Sequence, residues 1–145
     1  MRLLTVNAAA VVALILSGSV LAQAGPPKAP PLGLMGHDPV SYFNPGKPVK
    51  GASSINYDFD ESRYLFSSQK NRDTFAANPE RYSPQFGGLC ATGLSSGMKA
   101  KADPRIFKVV DGKLYVFSST EARDMADKDP RLLQMAHQTW AKPKK

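Results

Sequence analysis

The sequence predicts an α+β fold of two tandem ββα units, each a hairpin followed by a helix, sharing one core. Three observations predict it. The chain repeats itself at a constant offset of 51 residues. Apolar residues alternate on either side of short turns, and a serine able to cap a helix follows each alternating stretch.

Met1 to Ala24 reads as a Sec-type secretory signal peptide. Arg2 supplies the positive start, Ala8 to Leu16 is an unbroken apolar run, and Ala22-Gln23-Ala24 is a small-x-small cleavage site. The run is short for a bilayer span and no stop-transfer pattern follows. A periplasmic or secreted protein with no stable membrane anchor after cleavage is the expectation. Residues 25–33 hold four prolines and read as an extended linker. The domain is expected over residues 34–141, with half-units 36–86 and 87–137, and a basic tail over residues 142–145.

The repeat pairs Asp60-x-x-x-Tyr64-Leu65-Phe66-Ser67-Ser68 with Asp111-x-x-x-Tyr115-Val116-Phe117-Ser118-Ser119. It continues through Arg72-Asp73 against Arg123-Asp124 and Pro79 against Pro130. Upstream it takes in Gly36/Gly87, Gly46/Gly97, Lys50/Lys101 and Ile55/Ile106. There are 12 identities over 51 positions without a gap. Ile55, Tyr57 and Phe59 alternate, Asp60 to Ser62 turns, and Tyr64 to Phe66 returns, which is a hairpin. Ile106 to Val110, Asp111-Gly112, then Leu114 to Phe117 is a second, with Asp-Gly as a strong turn signal. Ser68 caps a helix over Gln69 to Ala77, and Ser119 caps one from Thr120 to Lys128. Asn78-Pro79 and Asp129-Pro130 end them, because the residue before proline avoids the α region. Arg131 to Trp140 carries Leu132, Met135, Ala136 and Trp140 at helical spacing. A single unit of about 50 residues is marginal alone, so the two are expected to share their core.

The formal net charge of the 145-residue chain is +7. Outside the cytoplasm nucleic acid is not an expected partner, and the charge reads as a solvated basic surface. A single cysteine excludes an internal disulfide, and with two histidines it excludes a closed structural zinc site. No phosphate loop, Ser-His-Asp order, paired-carboxylate signature or Cys-x-x-Cys is present, so a non-enzymatic role is expected.

Gly36-His37-Asp38-Pro39-Val40-Ser41-Tyr42-Phe43, Tyr64-Leu65-Phe66-Ser67-Ser68 through Phe75, and Ala77-Asn78-Pro79-Glu80-Arg81-Tyr82 together resemble the YHS domain family, in its secreted stand-alone subgroup. Gly87-Gly88-Leu89-Cys90-Ala91 and Val110 to Tyr115 resemble the second half of that subgroup. The resemblance implies a zinc-ribbon-like or treble-clef-like fold and, often, a metal-handling role. In metal-binding members one cysteine follows Asp-Pro-Val, another follows the aromatic strand and a third lies in the helix. Here those positions are Ser41, Ser67 and Asn71, and a serine cannot supply a thiolate.

Cys90 is the candidate metal ligand, with His37 as helper. At an offset of 51 Cys90 stands opposite Pro39. Two-fold packing of the halves would bring both loops near one axis, with His37 and Cys90 facing a common pocket. A thiolate and an imidazole suit copper first, or zinc. Asp38, Tyr42, Gly87, Gly88 and Met98 complete a possible binding loop, Met98 and Met35 being able to offer thioethers. The plainer reading makes Cys90 a buried small apolar residue and His37-Asp38-Pro39 a turn in which Asp38 caps the next segment. His137 is expected to pack beside Trp140. Function is thus expected to be transition-metal handling, with a metal ion or a periplasmic protein as partner. A metal-free protein-interaction module and a thiol redox protein are the alternatives.

Overall fold

The computed structural model describes residue 25 and residues 27–142. The expected signal peptide, Met1 to Ala24, and the end of the expected basic tail lie outside them. Two antiparallel hairpins carry the fold: β1 (Ala52–Phe59) pairs with β2 (Ser62–Phe66), and β3 (Asp103–Val110) pairs with β4 (Lys113–Phe117). The two hairpins match residue for residue at the offset of 51. Both even carry a register shift at the same place, Ala52/Asn56 and Asp103/Phe107. The turns are Asp60-Glu61 and Asp111-Gly112, with positive φ at all four residues. Such turns match the twist of the flanking strands.

Each hairpin runs into a capped helix. The Ser68 side chain accepts from the Asn71 amide to start α1 (Gln69–Ala77). A short helix, α2 (Pro79–Tyr82), follows at once, because proline is favoured at a first helical position and Asn78 caps it. The sequence signals this only as the end of α1. After α3 (Ala91–Ser95), α4 (Thr120–Lys128) starts from Ser119 and α5 (Arg131–Trp140) closes the chain. The ordered structure begins slightly before Leu34: the Arg63 amide donates to Pro31 O at 2.9 Å and Leu32 bridges to Arg63.

The shared core has two lobes. One gathers Leu34, Val40, Tyr42, Tyr64, Phe66 and Phe75 from the first half, together with Leu114 and Val116 from the second. The other gathers Phe86, Cys90, Leu94, Tyr115, Phe117 and Leu133. Strand β4 feeds both, since alternate residues of a strand point to opposite faces. His137 packs as its sequence position suggests, against Phe86 and Tyr115, and shares a hydrogen bond with the Tyr115 hydroxyl at 2.8 Å.

Tyr42 ties the halves together. It is buried, its ring meets Phe107 edge-on at 4.9 Å, and its hydroxyl donates to Pro104 O at 2.8 Å. Burial pushes its phenol well above the usual range, so the donor stays protonated. Tyr42→Phe keeps the ring and orphans that carbonyl. We expect a loss of about 1–3 kcal/mol in urea unfolding, the cost of one unsatisfied buried group. An unchanged midpoint would show that this bond does not hold the halves.

Candidate functional site

The loop before each hairpin takes a left-handed path. Leu34, Met35 and Gly36 have φ of 50°, 49° and 79°, and Phe86, Gly87 and Gly88 have 58°, 62° and 81°. These triplets correspond at an offset of 52, not 51. The hydrogen bonds agree. The amides of His37 and Leu89 donate back to Leu34 O and Phe86 O, and those of Asp38 and Cys90 donate to Val49 O and Ala100 O. Cys90 therefore corresponds to Asp38, which corrects its pairing with Pro39. The offset returns to 51 by Gly46 and Gly97, so the first half lacks nothing in its hairpin but differs by one residue in this loop.

The correspondence defines two equivalent centres. Asp38 is fully buried and caps the 3-10 turn Pro39–Tyr42, its Oδ1 accepting from the Val40 amide at 2.9 Å. Its Oδ2 accepts from the Ser67 amide at 2.9 Å, the Ser67 hydroxyl at 2.7 Å and Asn71 Nδ2 at 2.7 Å. Ser41 Oγ donates to the Asp38 carbonyl at 2.7 Å. In the second half Cys90 is 1% exposed and caps α3. Its Sγ accepts from the Gly93 amide at 3.5 Å and from Ser118 Oγ at 3.4 Å. Ser118 is the counterpart of Ser67.

Ser41, Ser67 and Asn71, the positions where the family resemblance would place thiols, thus converge on Asp38. They meet there as hydrogen-bond donors, Ser67 and Asn71 to its carboxylate and Ser41 to its main-chain carbonyl. Thiolates around a cation would carry the opposite charges. The donor groups are consumed by Asp38, and this constellation does not fit a metal ion. Among the described residues no group of three or more His, Cys, Asp or Glu is placed to hold one.

His37 and Cys90 do not line the same surface. His37 is buried, and its Nδ1 lies 2.9 Å from Leu34 O. A carbonyl only accepts, so Nδ1 carries the proton and Nε2 is the ring's remaining group. His37 lines a cleft that Ser118 also lines, and Cys90 sits one layer behind Ser118.

The cleft lies where the halves meet and has two arms. An apolar arm of about 410 Å³ is lined by Leu32, Leu34, Leu89, Ala102 and Val116, with Gly87 and Gly88 in its wall. A polar arm of about 490 Å³ is lined by His37, Lys50, Lys101, Asp103, Arg105 and Ser118. Met35, Lys101, Ala102 and Pro104 line both arms, so they adjoin. Arg105 pairs with Asp103 at 2.7 Å, and its hydrogen bonds lower the Asp103 carboxyl to about 2. Lys50 Nζ donates to Met35 O at 2.8 Å.

Residues of both left-handed triplets border the apolar arm. Of the expected loop residues, Asp38 and Tyr42 are structural and Gly87 and Gly88 line the cleft. Met98 is 61% exposed and lies outside both arms. Lys50, Lys101, Asp103 and Arg105 went unnoticed in the sequence as site residues. The Lys50/Lys101 repeat identity is the signal that could have found the two lysines. Compared with known proteins, the chain matches no family model, no curated protein and no solved structure.

Proposed function

We propose that this chain is an exported, non-enzymatic binding module that works without a bound metal through the cleft between its halves. The observation that carries this reading is the commitment of Ser41, Ser67 and Asn71 to Asp38. The burial of Cys90 in the second lobe supports it. A thiol kept from solvent and bonded to two donors acts as packing and as a helix cap. The signal-like Met1 to Ala24 and the resemblance to the secreted YHS subgroup support export.

Copper or zinc handling through Cys90 and His37 is the second reading. It is favoured by the His37 tautomer, since an imidazole held through Nδ1–H to a carbonyl presents Nε2 as ligands commonly do. Thermal unfolding of the reduced protein with Cu(I), Cu(II) or Zn(II), beside Cys90→Ser, separates the two. A metal binding only the folded state at 100 times its Kd adds about 2.7 kcal/mol. For a chain of this size that is a rise of roughly 5–10 °C. We expect no such rise with any of the three. A rise abolished in Cys90→Ser would replace the first reading with the second.

A further inference from the structure

We propose that the inter-half cleft binds a small apolar carboxylic acid, its aliphatic or aromatic body in the apolar arm and its carboxylate between Lys50 and Lys101. This rests on the reading of the chain as a binding module. Both arms are of the size usual for small-molecule sites, about 300–1,000 Å³, and they adjoin along Lys101 and Met35. Apolar atoms line most of both, but the charged side chains are divided unevenly between them. Leu34, Leu89, Ala102 and Val116 wall one arm with carbon. The other arm holds three side-chain cations, Lys50, Lys101 and Arg105, against the single carboxylate of Asp103.

Asp103 is already engaged by Arg105 through both carboxylate oxygens. Lys50 donates to a neutral carbonyl and makes no ion pair among the described residues. Lys101 makes no ion pair among the described residues. Lys101, at the edge shared by the arms, and Lys50, in the polar arm, thus stand without an ion-paired anion among the described residues. They occupy equivalent places in the two halves, Lys50 bridged through its backbone to His37 and Lys101 to Leu89. A wholly polar anion would meet these charges but leave the apolar arm wet. An uncharged apolar molecule would fill the arm and leave both ammonium groups unmatched. Only a molecule with an apolar body and a compact anionic head answers both arms.

Titration calorimetry with octanoate, octanol and acetate tests the assignment on the full protein. We expect saturable octanoate binding, with octanol and acetate each weaker by about tenfold or more. The double variant Lys50→Gln/Lys101→Gln is expected to weaken octanoate by about tenfold without moving the melting temperature, because both side chains are exposed. Leu32→Glu, at a half-exposed position in the apolar arm, should weaken it independently by placing like charge there. Octanol binding as tightly as octanoate, octanoate binding unchanged in both variants, or no saturable octanoate binding would each overturn the assignment. If octanoate is not bound and no metal stabilises the protein, the carboxylate ligand falls and the metal-free module stands. If a metal stabilises through Cys90 while octanoate binding survives, the cleft stands and the metal-free reading falls.

Discussion

Asp38→Ala is expected to destabilise the protein by about 2–5 kcal/mol in urea unfolding. The carboxylate collects four hydrogen bonds from Val40, Ser67 and Asn71, two of them from backbone amides. Ser67 and Asn71 can turn their side chains toward water, but the amides of Val40 and Ser67 cannot leave. Each buried unsatisfied group costs about 1–3 kcal/mol, which sets the range. Asp38→Asn sharpens the test. Whichever way its amide points, an N–H₂ group faces a donor: the Val40 amide on one side, or the Ser67 and Asn71 donors on the other. We therefore expect Asn to recover little of the loss. An Asn variant as stable as the parent would mean that acceptor capacity at Asp38 is not what holds the first half together. Against a typical total of about 5–15 kcal/mol, the effect is large enough to read at 25 °C.

Phe75→Ala should cost about as much or more, roughly 3–5 kcal/mol. Phe75 is fully buried on α1 and is met by four rings, Tyr57 at 5.8 Å, Phe59 at 6.2 Å, Tyr64 at 5.0 Å and Phe66 at 5.2 Å. These rings come from both strands of the first hairpin, so the phenyl group fastens α1 to β1 and β2 at once. Removing it leaves a cavity that flat, rigid rings cannot collapse to fill. Phe75→Leu, which keeps most of the volume, should lose clearly less. Equal losses for the two variants would argue that volume is not the quantity that matters there. The offset mate of Phe75 is Ala126, also buried. The second lobe is filled from α5 instead, by Leu133 and Ala136.

Much of this fold is legible in the sequence because local signals and the repeat agree. The alternation of Tyr64 to Phe66 and Leu114 to Phe117, the Asp-Gly turn, and Ser68 and Ser119 as caps all point to the same elements. The Pro39–Tyr42 turn capped by Asp38 is legible for the same reason. The loop register is not. Gly87-Gly88 lets Gly36 find a glycine at an offset of 51 or 52, and only the left-handed backbone path chooses between them. That single residue decides whether Cys90 matches a proline or the buried carboxylate. The cleft is illegible for another reason. Lys50, Lys101 and Arg105 are ordinary surface residues in the sequence, and it is the apposition of two loops distant along the chain that gives them a common surface. The repeat announces equivalent positions but not that the equivalents meet.

Strand β4 is buried along both faces, Leu114 and Val116 toward one lobe and Tyr115 and Phe117 toward the other. Its counterpart in the first half, β2, sends Tyr64 and Phe66 into the first lobe only. In dynamic terms the halves cannot breathe independently. Any fluctuation that frees β4 exposes both lobes together, so its amides are expected to open only with the whole molecule, while β1, paired only with β2, can fray alone. A chain assembled from two like units is therefore expected to unfold as one cooperative body.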